Sequence, residues 1–146
     1  MILSQFFGPL ELHFAVALGI SLVLGYLLGA EREMRGKDAG ISTHILVISG
    51  AMLFSIVSAT DVLAPTRIAA QVVTGIGFLG AGLIFHVDGG VKNLTTAASL
   101  WISAAIGVAL GLGFYVVAIT AGLISVLVPR IPRVGMKERV HPVERP

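Results

Sequence analysis

The chain has 146 residues, of which 55% are hydrophobic and 12% are charged, and its mean hydropathy is +0.94. One core of this size cannot bury so much apolar surface, so the composition excludes an ordinary soluble domain and predicts an integral membrane protein. The absence of cysteine excludes disulfides, thiolate metal sites and thiol catalysis. The pI near 9.4 comes largely from the C-terminal tail, and a basic tail beside a membrane indicates topology and contact with anionic lipid rather than nucleic-acid binding.

Four apolar runs lack Asp, Glu, Lys and Arg and have the length of membrane-spanning helices. The last run, Leu94 to Val128, would measure about 50 Å as one helix, and the Gly111-Leu112-Gly113 triplet within it is a natural place to turn. The sequence therefore predicts an all-α membrane domain over residues 1–128. Its five transmembrane helices are predicted at about residues 12–30, 41–60, 68–85, 94–110 and 114–128.

The basic residues predict the orientation of these helices. With five spans, nine of the ten Lys and Arg residues lie on one side and only Arg67 lies on the other, which predicts the N-terminus outside and the C-terminus inside the cell. We expect the basic, proline-rich tail, residues 129–146, to be cytoplasmic and mostly disordered because it can bury little apolar surface. No Lys or Arg precedes the first run, so we expect no cleavable signal peptide and a first helix that stays in the mature protein.

Small residues recur at four-residue spacing on two of the predicted helices. Such stripes let helix backbones approach closely in lipid, where packing and hydrogen bonds drive association. Both stripes are expected to form tight helix contacts, either within one protomer or across a dimer. The stripes are Ala17, Ser21, Gly25 and Gly29 on the first helix, and Thr95, Ser99, Ser103, Gly107 and Gly111 on the fourth.

The third predicted helix contains four glycines, Gly75, Gly77, Gly80 and Gly82. The first three match a G-x-G-x-x-G dinucleotide motif formally, but no strand precedes them and they lie inside a membrane-length apolar run. Their use is expected to be either close helix packing or a polar path lined by exposed carbonyl groups.

Polar residues at the ends of the spans suggest two mouths. At the outer end, Arg67 lies one helical turn before Gln71. Asp61 in the adjoining outer loop is the expected ion-pair partner of Arg67. Arg67 either has a functional role or only anchors the helix at the membrane surface. At the cytoplasmic end, a second group of residues is either a polar mouth or an ordinary charged segment exposed to water. It comprises Glu31, Arg32, Arg35, Gly36, Thr43 and His44.

Three residues of the fourth helix are further candidates for packing or for a path. The hydroxyls of Thr95 and Thr96 can cap the helix amides or bond to neighbouring helices. Trp101 lies about two turns into the helix, which favours packing at a helix interface.

Three segments, residues 29–44 (GAEREMRGKDAGISTH), 67–82 (RIAAQVVTGIGFLGAG) and 94–115 (LTTAASLWISAAIGVALGLGFY), together resemble the membrane domain of the MgtC/SapB family. The resemblance implies a multi-pass protein of the bacterial inner membrane, in a virulence-associated family linked to magnesium limitation and stress adaptation. Many members carry a soluble C-terminal domain where this sequence has the short tail. The family usually has Asp-Pro where this chain has Ala64-Pro65.

The matched motif positions do not by themselves assign roles. They are Glu31, Arg32, Arg35, Gly36, Thr43, His44, Arg67, Gln71, Gly75, Gly77, Gly80, Gly82, Thr95, Thr96 and Trp101.

Two functions follow from these observations, and both stay open here. The first is a regulatory or accessory role in magnesium homeostasis through helix contact with another membrane complex, as a homodimer or small homo-oligomer. The alternative is a channel or transporter for Mg²⁺ or protons, with a path along the third helix. The acidic residues from Glu11 to Asp88 all fall at the ends of the predicted spans. The spans therefore contain no carboxylate in the middle of the membrane that could bind a transported ion. We expect the protein to have no enzymatic activity and no cofactor. Whether it binds Mg²⁺ stays open, since the sequence identifies no metal ligands.

Overall fold

The computed structural model describes residues 8–87 and 90–131, so most of the tail lies outside the described residues. Its architecture is helical, which confirms the predicted all-α class. The helices are α1 (Pro9–Met34), α2 (Ile41–Ala59), α3 (Arg67–Leu83), α4 (Leu94–Gly111) and α5 (Tyr115–Leu127), and a short 3-10 turn (Val128–Arg130) follows α5.

Three of these helices are long and apolar enough to cross a bilayer, namely α1 with 26 residues, α2 with 19 and α4 with 18. The other two are shorter, with 17 residues in α3 and 13 in α5. Five spans and their orientation therefore stay predictions.

A short β-hairpin connects α3 to α4, where the sequence predicted only a loop. Strand β1 (Phe85–Val87) pairs antiparallel with β2 (Gly90–Lys92), and Phe85 lies opposite Lys92. Phe85 thus belongs to a strand rather than to the last turn of the third helix. Aromatic and β-branched residues favour strands, but three residues are too few to give a periodic signal in the sequence.

Helix α2 packs between α1 and α4, and its fully buried side chains Ile48 and Met52 belong to the main apolar core. Glycines allow the close approach on both sides. A Cβ atom added at Gly29 would lie 2.2 Å from Cα of Ile41, and one added at Gly107 would lie 2.3 Å from the carbonyl oxygen of Ile48. Any larger residue at either position would push the helices apart.

A histidine ties the start of α1 to the turn between α4 and α5. His13 Nε2 lies 3.0 Å from the carbonyl oxygen of Gly111, which can only accept, so Nε2 carries the proton and donates. His13 Nδ1 then accepts a hydrogen bond from the hydroxyl of Tyr115. The turn itself contains Gly113 in the left-handed region, at φ +82°.

Candidate functional site

Two charged side chains are buried at the end of α1. Glu31 is 3% exposed and Arg32 is 2% exposed. Arg32 Nη1 lies 3.4 Å from Glu31 Oε2, and the other oxygen, Glu31 Oε1, forms an ion pair with Nε of Arg35. The single negative charge of Glu31 is thus shared between two positively charged guanidinium groups.

Gly36 gives α1 its sharp end. Its φ is +61°, its N–H donates to the carbonyl of Glu33, and the N–H of Lys37 donates to the carbonyl of Arg32. This pair of bonds is the Schellman motif, which needs a residue in the left-handed region and so favours glycine. The chain then turns back, and Oε1 of Glu33 accepts a hydrogen bond of 2.9 Å from the N–H of Ile41 at the start of α2.

His44 links α2 to α4 in the interior. Its side chain is fully buried, and its Nδ1 donates to the carbonyl oxygen of Gly40 at 2.8 Å. Its Nε2 lies 3.3 Å from the hydroxyl oxygen of Ser99, and the Ser99 hydroxyl donates to the carbonyl oxygen of Thr96 at 2.7 Å. The sequence did not identify Ser99 as a site residue, although its place on the small-residue stripe of α4 was the available signal.

The other residues of the predicted cytoplasmic mouth lie around this cluster. Thr43 is half-buried on α2, and Thr95 is exposed in the first turn of α4. Thr96 is fully buried, and its hydroxyl has no hydrogen-bond partner among the described residues. The structure therefore brings Glu31, Arg32 and Arg35 into direct contact and adds a separate His44–Ser99 contact.

The predicted outer mouth is more open. Arg67 is 74% exposed at its side chain, and its Nη2 lies 3.7 Å from Oδ2 of Asp61. Oδ1 of Asp61 accepts hydrogen bonds from the N–H groups of Leu63 and Ala64, so this carboxylate mainly organises its own turn. Gln71 is exposed on α3. An exposed pair of this kind contributes little to stability.

The glycines of α3 differ from those of α1 and α4. Around Gly75, Gly77 and Gly82, an added Cβ would meet no atom of the described chain within 4 Å. Gly80 faces α4, where an added Cβ would lie 3.7 Å from Cβ of Ala97. Trp101 of α4 is 52% exposed. Much of the α3 surface thus remains uncovered by this protomer.

The small residues of the other two helices are used inside the protomer. An added Cβ at Gly25 would lie 2.7 Å from Cα of Ile45, and one at Gly111 would lie 2.4 Å from the carbonyl oxygen of Met52. These stripes of α1 and α4 therefore both contact α2.

A groove of about 500 Å³ lies between α2 and α3. Gln71 and Gly75 line it together with apolar side chains such as Phe54 and Leu79. Within residues 8–87 and 90–131, no group of three His, Asp or Glu residues is placed to hold a metal ion.

The chain is similar to proteins of the MgtC family. The family matches residues 18–134. The chain is 44% identical over 126 residues to the "Putative magnesium transporter YhiD" of Escherichia coli strain K12, a match that covers 80% of this chain and 59% of that protein. No solved structure matches it.

Two further relatives are called "Protein MgtC". The chain is 50% identical over 105 residues to that of Salmonella typhimurium strain LT2, covering 71% of this chain and 46% of the relative. It is also 50% identical over 105 residues to that of Brucella abortus strain 2308, covering 69% of this chain and 43% of the relative. The chain thus spans about half the length of these relatives. Its apolar helices and these relatives together identify a membrane protein, and the chain belongs to the MgtC family.

Proposed function

We propose that this protein has a regulatory or accessory role in magnesium homeostasis and stress adaptation. It acts in the bacterial inner membrane, with five spans and the C-terminus in the cytoplasm. It does so by laying one face of α3 against a transmembrane helix of another membrane protein. Membership of the MgtC family and the name of the relative YhiD support the link to magnesium.

The observation that carries this proposal is the uncovered face of α3. Ala70, Thr74, Gly77 and Ala81 follow one another at the spacing that places residues on one side of a helix, and all four are exposed. Between helices in lipid, small residues favour association because backbones can approach closely. Four glycines of the α1 and α4 stripes already contact α2, whereas α3 keeps a free surface suited to a partner helix. These four are Gly25, Gly29, Gly107 and Gly111.

The transport alternative has weaker support. A Mg²⁺ site normally uses carboxylate oxygens and retained waters, whereas the groove beside α3 is lined by apolar residues and by Gln71. The most deeply buried described carboxylate, Glu31, already neutralises Arg32 and Arg35. Neither the groove nor the Glu31 cluster therefore provides successive polar groups along which a hydrated ion could cross the membrane.

A matched pair of substitutions tests the accessory role in cells. At Gly77 on α3 and at Gly19 on α1, an added Cβ atom would meet no described atom within 4 Å, so a larger side chain can start at either position without a clash. Growth at limiting magnesium should fail with Gly77→Leu and persist with Gly19→Leu, at equal amounts of protein in the membrane. Equal growth of the two variants would overturn the proposed contact.

Site-specific photo-crosslinking then identifies the occupant of the face. A crosslinker at Ala81 should join the protein to a different membrane protein, and Gly77→Leu should abolish that product. The same group at Val116, which is 79% exposed on α5, should give no such product. A product made only of two copies of this chain would show a homo-oligomeric contact instead and would contradict the hetero-partner.

A further inference from the structure

A second, larger pocket of about 760 Å³ lies at the charged end of the bundle, between the end of α1, the first half of α4 and the end of α5. We call it the basic pocket. Four cationic side chains line it, namely Arg32, Arg35, Lys37 and Arg130. No acidic residue contributes to its lining among the described residues.

Arg32 gives the strongest indication that an anion belongs here. Arg32 is only 2% exposed, and its Nη1 faces Glu31. Its Nε and Nη2 have no hydrogen-bond partner among the described residues. A buried guanidinium with unpaired donors is costly, and Glu31 is already shared with Arg35. Arg32 also lines the pocket, so an anion bound there would lie beside this buried guanidinium and balance its charge.

The start of α4 adds a second source of donors. Thr95 lies in the first turn of α4 and lines the pocket. The first amides of a helix have no intrahelical acceptor and attract anions. The residue before α4, Asn93, makes no side-chain cap, and its amide group donates to Oδ2 of Asp38 at 2.6 Å. In the described part of the chain, the first amides of α4 thus have no side-chain cap from Asn93.

The far wall of the pocket is apolar. Ile102 lies seven residues after Thr95 on α4, about 10 Å further along the helix. Ile124 near the end of α5 and Val128 in the following 3-10 turn line the same pocket. The pocket therefore passes from cations and hydroxyls to hydrocarbon in the direction of the membrane interior. A free phosphate would leave this apolar part unfilled.

We propose that the basic pocket binds the phosphate group of an anionic phospholipid, with the lipid's acyl chains along Ile102, Ile124 and Val128. Guanidinium groups pair with phosphate oxygens through two parallel hydrogen bonds, and the pocket is lined by three of them, those of Arg32, Arg35 and Arg130. Basic pockets between transmembrane helices are a known form of lipid headgroup site. The binding is independent of the proposed contact at α3, which lies on another helix.

Lipid titration of the purified full-length protein, followed by native mass spectrometry, tests this site. The test variant is Lys37→Gln/Arg130→Gln, which leaves the buried Arg32 in place. With phosphatidylglycerol, its Kd should rise about 25-fold, or about fivefold for each removed cation. The control Lys92→Gln removes an exposed cation from the hairpin at the same end and should keep the wild-type Kd. Phosphatidylcholine with the same acyl chains should bind the wild type more weakly than phosphatidylglycerol.

Three results would overturn the proposal. An unchanged Kd in the double variant would show that the lipid binds elsewhere, and an equal loss in Lys92→Gln would show only a response to total charge. Displacement of phosphatidylglycerol by an equal concentration of inorganic phosphate would assign the site to free phosphate and contradict the lipid. Displacement only in large excess of inorganic phosphate supports the lipid.

Discussion

The hydroxyl oxygen of Ser58 on α2 accepts a hydrogen bond of 3.1 Å from the backbone N–H of Ile68 on α3. It accepts a second bond of 3.2 Å from the N–H of Ala69, and the Ser58 side chain is fully buried. Thr66, which precedes α3, makes no side-chain cap. A serine from a neighbouring helix therefore caps α3 and fixes its start against α2.

Replacing this cap should loosen α3. Ser58→Ala leaves two first-turn amides in the interior without an acceptor, and we expect a loss of about 1–2 kcal/mol in the free energy of unfolding. Ser42→Ala makes the same chemical change at an exposed position and should change little. Thermal unfolding in detergent measures the difference, and equal midpoints for the two variants would contradict the cap.

Glycine-to-alanine substitutions on α1 should have opposite effects at two positions. Gly29→Ala would place Cβ 2.2 Å from Cα of Ile41, so the helices must separate, at a cost of about 1–3 kcal/mol or more. Gly19→Ala meets no described atom within 4 Å and removes a helix-destabilising glycine, so it should be neutral or stabilising by up to about 1 kcal/mol. Equal unfolding temperatures would mean that α1 and α2 are not in close contact.

The buried carboxylate of Glu31 should contribute more to the stability of the fold than the exposed carboxylate of Glu33. Glu31→Gln leaves Arg32 buried without a countercharge, and we expect a loss of about 3–5 kcal/mol in the free energy of unfolding. Glu33→Gln retains an oxygen that can accept from the N–H of Ile41, so its effect should stay below about 1 kcal/mol.

A double substitution checks the cause. Glu31→Gln/Arg32→Gln should recover part of the stability lost in Glu31→Gln, because it removes the uncompensated charge. A double variant that unfolds more readily than Glu31→Gln would show that another interaction of Glu31 dominates.

The helical class and the family could be predicted because each depends on long segments. The apolar runs predict helices by length alone, and the segments 29–44, 67–82 and 94–115 carry long family motifs. Gly113 was a sequence signal for the turn after α4, and the structure shows it at φ +82°.

The structure adds features that depend on contacts distant in sequence. Pattern alone does not show that α1 continues to Met34 and buries Glu31 and Arg32, because a charged segment after an apolar run usually meets water. Nor does it distinguish Gly25 and Gly29 of α1, which contact α2, from glycines such as Gly77 of α3, around which the described chain leaves open space. The predicted functional mouths remain predictions.

The accessory role is tested most directly by measuring Mg²⁺ and proton fluxes across liposomes that contain the purified protein. Circular dichroism of the same vesicles checks that the helices are intact, and an added ionophore checks that the vesicles hold a gradient. We expect fluxes equal to those of protein-free vesicles. A protein-dependent flux that falls in Gln71→Ala or Arg67→Ala would contradict the accessory role and establish transport.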